Sequence, residues 1–136
     1  MAQILIILGA TIFGLLGVMH LLTTLLINEF EARDASVTEA MKATSPVITK
    51  ETTVWNAWTG FNASPSLGAM LVAAVYVPLA MFDVELIQQS LWFSVPPTII
   101  GFSYLFLAAK YRFKIPLIGL SISTACFAAA ATLINT

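Results

Sequence analysis

Four long apolar runs, none containing Asp, Glu, Lys or Arg, constrain this chain more than any other feature. They cover residues of about 4–27, 58–82, 91–109 and 115–134. Crossing the hydrocarbon core of a bilayer takes about 20 apolar residues, and each run has that length. The runs are continuously apolar rather than alternating, which favours helices over strands. The sequence therefore predicts an all-α integral membrane four-helix bundle, formed by residues 1–136 as a single transmembrane domain.

Composition leads to the same class. Of the 136 residues, 59% are hydrophobic and 10% are charged, whereas soluble domains carry about 25% charged residues. A short chain buries only about two-thirds of its unfolded surface, so we expect lipid to cover the remaining apolar side chains. Met1-Ala2-Gln3 lacks the positive start of a signal peptide, and the first run is too long for its apolar region, so we expect this run to be retained.

The basic residues predict an orientation. All six fall in the loops after the first and third runs, at Arg33, Lys42, Lys50, Lys110, Arg112 and Lys114. By the positive-inside rule, loops 28–54 and 110–114 are predicted to be cytoplasmic and both termini to lie outside. Five acidic residues share the first loop. No basic run suggests nucleic acid as a partner.

A short amphipathic helix is predicted within the first loop. Ser36 and Glu39 match a capping box, and an apolar face follows at Val37, Ala40, Met41 and Thr44. Pro46 is expected to end this helix. It fits a helix lying on the membrane surface, although a partner-docking helix has the same pattern.

The candidate functional residues lie in the first two runs. His20 is the only ionisable residue inside a run, and such residues suggest function because burial in lipid is costly. It lies seven residues before Ile27, and Asn62 lies seven residues after Trp55, so the two are expected at similar depth. The start of the second run is rich in indole, amide and hydroxyl groups, and Pro65 predicts a break there. The candidate ligand or packing patch comprises His20, Trp55, Trp58, Asn62, Ser64 and Ser66.

Helix packing is the alternative interpretation of this patch. Gly60, Ser64 and Gly68 are spaced four apart, and Ala10 and Gly14 repeat the spacing. Such small residues let membrane helices approach closely. The run Ala128–Ala131 suits close contact with another span or a partner. Pro96-Pro97 predicts a kink in the third run.

Several common membrane activities lack their residues. One histidine disfavours a bis-histidine haem site, and the single Cys126 excludes an internal disulfide or a paired-thiol exchange. Zinc needs three or four ligands, and proton-coupled export needs a carboxylate within the membrane. The sequence therefore predicts no cofactor and no metal, and it shows no evident catalytic machinery.

Residues 17–21 (GVMHL) and 54–68 (VWNAWTGFNASPSLG) resemble a family of small, uncharacterised bacterial four-helix membrane proteins, loosely similar to the DoxX-like group. Arg33-Asp34 and Ala40-Met41 also fit this pattern. The resemblance covers about the first half of the chain, and it implies a bacterial inner (plasma) membrane location. It also implies that relatives carry a histidine where this chain has Pro65, so a two-histidine site of such relatives is absent here.

Two function classes follow, with an enzyme as the weakest third. The first is an accessory or structural subunit that packs against a larger membrane complex or forms a homo-oligomer, with the fourth run as its contact face. The second is a stand-alone binder or carrier of a lipophilic molecule, a quinone or lipid, that uses the His20–Asn62 patch. A lone histidine is a possible general base, but no second group completes a mechanism.

Overall fold

The computed structural model describes residues 1–27 and 30–136. Over these ranges it contains helices and no strands. The helices are α1 (Ala2–Leu26), α2 (Ala35–Ala43), α3 (Val54–Phe82), α4 (Val84–Gln89), α5 (Leu91–Ser94), α6 (Pro96–Lys110) and α7 (Lys114–Asn135). Asn28, where the predicted first loop begins, and Glu29 lie outside the described residues.

Within the described ranges, four helical stretches are long and apolar enough to cross a membrane, which confirms the all-α prediction with four apolar helices. They are Ala2–Leu26, Val54–Phe82, Leu91–Lys110 and Lys114–Asn135. Large apolar side chains on them are exposed, among them Phe61 at 78% and Phe106 at 62%. Contiguous apolar surface is rare on soluble monomers and ordinary on helices surrounded by lipid.

The contacts divide the chain into two compact units, Met1–Leu16 with Ala69–Thr136, and Gly17–Gly68. The core of the first unit is formed by residues of α1, α3, α4, α6 and α7. Phe13 is fully buried and makes edge-to-face contacts with Tyr104, at 5.0 Å between ring centroids, and with Phe127, at 6.2 Å. The Ser123 hydroxyl on α7 donates a 2.7 Å hydrogen bond to the Gly9 carbonyl on α1.

Small residues bring the helices of the first unit together. A Cβ atom built on Gly14 would lie 2.4 Å from the Cβ of Ala73, and one built on Gly101 would lie 2.7 Å from Oγ1 of Thr124. Real Cβ atoms essentially never approach this closely. The predicted packing role of Ala10 and Gly14 fits this arrangement, since Ala10 is also fully buried.

The two proline positions behave differently from one another. α3 is continuous through Pro65, so the predicted break is wrong. Helices of this length tolerate a proline that removes a single backbone bond. At Pro96-Pro97, by contrast, the helix is interrupted, and α5 ends at Ser94 before α6 begins at Pro96. Proline suits the first helical position because its missing N–H has no partner there.

The start of α2 and the presence of α4 differ from the sequence prediction. α2 begins at Ala35 and is capped by Asp34, whose Oδ1 accepts from the Ser36 N–H at 2.9 Å and the Ser36 hydroxyl at 2.7 Å. The predicted capping box of Ser36 and Glu39 is therefore wrong, because a better acceptor lies two residues earlier. The connection after α3 contains α4, which was not predicted, and its Ile87 is fully buried.

The turn between α6 and α7 places Arg112 in the left-handed region, with φ 61°. Phe113 donates to the Ala108 carbonyl at 2.9 Å and Arg112 to the Ala109 carbonyl at 3.3 Å, the pattern of a Schellman motif. Glycine usually occupies this position, and another residue there costs about 1 kcal/mol or more. A cationic side chain is thus kept in this turn at the expense of backbone strain.

The contact at Gly14 predicts that Gly14→Ala destabilises the protein. The added methyl group overlaps Ala73, and overpacking of this kind costs about 1–3 kcal/mol. Gly60→Ala is the matched control, because nothing lies within 4 Å of its built Cβ. Melting temperature in detergent should fall for Gly14→Ala and stay level or rise slightly for Gly60→Ala. Equal melting temperatures for the two variants would contradict the close contact.

Candidate functional site

The second unit holds His20, the candidate residue singled out by its position inside an apolar run. Its half-buried imidazole lies beside the backbone of Asn62. The ring also meets Phe30 edge-to-face, with 5.0 Å between centroids and 75° between planes. His20 and Asn62 are therefore close, as expected, but His20 faces the backbone of Asn62, and the Asn62 amide bonds to Trp58 instead.

The polar side chains at the start of α3 are engaged within the helix itself. The Asn62 amide donates to the Trp58 carbonyl at 2.9 Å, Thr59 to the Trp55 carbonyl at 3.0 Å, and Ser64 to the Gly60 carbonyl at 3.0 Å. Each bond joins a side chain to the carbonyl four residues earlier. The two hydroxyl groups thus use their only donors in local bonds, the Asn62 amide keeps one N–H, and the oxygen atoms of all three keep free lone pairs.

Phe30 contacts both α1 and α3 within the second unit. Its ring contacts His20, and its carbonyl accepts a hydrogen bond from Nε1 of Trp58 at 3.4 Å. Two residues later, the Ala32 N–H donates to Oγ1 of Thr38 at 3.2 Å, and Thr38 is buried. The segment that follows α1 is therefore tied to both α2 and α3.

A cavity of about 140 Å³ lies beside Phe30, at the end of α1 and the start of α3. Its walls combine aliphatic, aromatic, hydroxyl and carboxylate side chains: Thr24, Leu25, Ile27, Phe30, Glu31, Trp55 and Thr59. The Thr24 hydroxyl donates to the His20 carbonyl at 2.7 Å. An apolar wall with a few convergent polar groups is the usual composition of a ligand site.

Charged groups of the first loop lie close to this cavity. The Lys42 ammonium is 5.5 Å from the ring centroid of Trp55, a cation–π distance, and 3.2 Å from Oε1 of Glu39. Hydrogen bonds from Ser36 lower the pKa of Asp34. Glu31, which is exposed, lines the cavity and makes no ion pair among the described residues.

The six predicted patch residues do not form one site. His20 and Asn62 meet, Trp55 lines the cavity, and Trp58 supports Phe30. Ser64 is exposed, whereas Ser66 is buried and bonds the Asn62 carbonyl at 3.4 Å. Sequence reasoning missed four cavity residues with functional groups or rings: Thr24, Phe30, Glu31 and Thr59. The available signal was the aromatic–acidic pair Phe30-Glu31, which follows the end of the first run.

A larger groove of about 550 Å³ follows one face of α6 and is open to the surroundings. It is lined by Ile99, Phe102, Ser103, Phe106 and Leu107, and Ser103 donates to the Ile99 carbonyl at 2.8 Å. It is almost wholly apolar, so it offers no group that would orient a ligand.

No group of three metal-ligating side chains is found within residues 1–27 and 30–136. Comparison with known proteins does not add a function, since no family model, curated protein or solved structure matches the chain. The resemblance to small bacterial four-helix membrane proteins stays a prediction. Within the described residues, the second unit contains a small cavity lined by residues that carry a carboxylate, two hydroxyls and two aromatic rings.

The Trp58 contact predicts that Trp58→Phe loosens the segment after α1. Loss of the indole N–H leaves the Phe30 carbonyl without its donor, and a hydrogen bond of this kind contributes about 1 kcal/mol. Amide hydrogen exchange at residues 30–33 should accelerate by several-fold. Trp92→Phe is the control, because Trp92 is 84% exposed. Unchanged exchange in Trp58→Phe would show that this bond does not hold the segment.

Proposed function

We propose that the chain is a multi-pass protein of the bacterial inner membrane and acts there as a non-catalytic accessory subunit of a larger membrane assembly. Four helices of spanning length support the membrane setting. The proposed orientation has both termini outside and loops 28–54 and 110–114 in the cytoplasm. Arg112 supports it, because a cation is kept at a left-handed position that glycine would occupy without strain.

An unfilled small-residue face on α3 carries the subunit proposal. Gly60 and Ser64 are exposed, and nothing lies within 4 Å of a Cβ built on Gly60. At Gly14, by contrast, Ala73 of the same chain occupies the space beside the glycine. Exposed Phe61 and Leu67 rise beside the small residues. This combination is typical of a groove for a neighbouring transmembrane helix.

The packing of α7 favours α3 over the fourth span as the partner face. Ala130 is 1% exposed and belongs to the core of the first unit, while Ala129 is exposed. The Ala128–Ala131 run is therefore partly used by the chain's own packing, whereas the Gly60 position is open.

The test is native mass spectrometry after mild-detergent extraction from the native membrane. The wild type should carry a stoichiometric partner or a second copy, and Gly60→Leu should lose it by filling the groove. Ala129→Leu is the matched control on α7 and should retain it. Loss in Ala129→Leu alone would move the contact to α7, and an unassociated wild type would refute the subunit proposal.

A binder or carrier of a lipophilic molecule is the second candidate function. The cavity of the second unit favours it, because carboxylate, hydroxyl and aromatic groups converge there beside exposed apolar helix surface. His20 does not line the cavity but packs against Phe30, which does. A role for His20 is thus to position Phe30.

His20→Ala should reduce the amount of co-purifying lipid or quinone without changing the melting temperature by more than a few degrees. Removal of the imidazole frees the Phe30 ring and loosens the cavity wall. Met19→Ala is the control, since Met19 lies one residue away and is 60% exposed. Lipid extraction followed by mass spectrometry measures the bound molecule. Full retention in His20→Ala would remove His20 from the candidate site.

A further inference from the structure

Among the described residues, the polar side chains that line the cavity of the second unit are chiefly hydrogen-bond acceptors. The hydroxyl groups of Thr24 and Thr59 donate to the carbonyls of His20 and Trp55, at 2.7 and 3.0 Å. Their oxygens keep lone pairs, and the Glu31 side chain adds carboxyl oxygens that accept. Phe30 and Trp55 add aromatic rings, which attract cations. This set of groups suits a positively charged donor.

The volume of the cavity is about 140 Å³, below the roughly 300–1,000 Å³ of sites that enclose a drug-sized ligand. An aminoethyl group fits such a space, and the remainder of a larger molecule lies outside the cavity.

We propose that this cavity binds the primary ammonium group of an aminophospholipid headgroup, of the phosphatidylethanolamine type. Three N–H donors of a primary ammonium match the Glu31 carboxylate and the hydroxyl oxygens of Thr24 and Thr59. A trimethylammonium group has no N–H to donate and leaves these acceptors unpaired. The proposal rests on the second candidate function and names its ligand class.

The surroundings of the cavity suit the rest of such a lipid. Leu25 and Leu26 at the end of α1 are 56% and 75% exposed, and Phe61 on α3 is 78% exposed, so acyl chains have apolar surface to lie against. The Lys42 ammonium lies beside the Trp55 ring, where it can meet a lipid phosphate. The same ammonium is 3.2 Å from Oε1 of Glu39, and Lys42 does not line the cavity.

The experiment is a titration of delipidated, detergent-solubilised protein by native mass spectrometry with three probes. The probes are phosphatidylethanolamine, phosphatidylcholine with the same acyl chains, and free ethanolamine. The variants are Glu31→Gln and, as the matched control, Glu51→Gln, which changes an exposed carboxylate of the same loop outside the cavity. Melting temperatures of both variants confirm that they are folded.

The expected result is a preference of about tenfold for phosphatidylethanolamine over phosphatidylcholine, since hydrogen bonds to charged groups contribute on this scale. Glu31→Gln should abolish the preference, and Glu51→Gln should keep it. Equal binding of both lipids by the wild type, or an unchanged preference in Glu31→Gln, overturns the headgroup assignment while leaving lipid binding intact. Saturation by free ethanolamine with no lipid bound overturns the lipid source. Absence of binding by every probe refutes the binder function together with the inference.

Discussion

Close approach of helices at small residues is the interaction on which the first unit depends. Between helices surrounded by lipid, the hydrophobic effect gives little cohesion, so van der Waals packing and interhelical hydrogen bonds must supply it. Gly14 against Ala73 and Gly101 against Thr124 bring backbones into this range. The Ser123 bond to the Gly9 carbonyl then becomes possible, because a short hydroxyl side chain reaches a neighbouring backbone only when the helices nearly touch.

The second unit depends on a different use of polar groups. Its hydroxyl and amide groups donate to carbonyls four residues earlier, as at Thr59 and Asn62. For a hydroxyl this local bond uses the single donor and leaves acceptor lone pairs. Among the described residues, a cavity built from such helices, with Glu31 added by the loop, is therefore lined by hydrogen-bond acceptors without any dedicated motif.

The four long helices could be predicted from the sequence because uncharged apolar runs of spanning length have few other structures available. α4 could not, since its six residues, Val84–Gln89, are too few to give a periodic signal. The cap of α2 was misplaced because Asp34 and Ser36 both suit an N-cap, and only the hydrogen bonds of Asp34 decide. The similar depth of the two residues in their runs was enough to predict that His20 lies near Asn62. The cavity could not be predicted in this way, because Phe30 and Glu31 lie in a loop and belong to no periodic pattern.

The two candidate functions use different faces of α3 and so do not exclude each other. Trp55, Thr59 and Asn62 follow at i, i+4 and i+7 and therefore share the face that meets the cavity and His20. Gly60 lies one position after Thr59, about 100° round the helix axis, and Ser64 follows four residues later on the same side as Gly60. A partner helix seated at Gly60 thus leaves the cavity wall in place. Loss of a partner and loss of a lipid headgroup are separable outcomes, because each is set by a side chain that the other contact does not use.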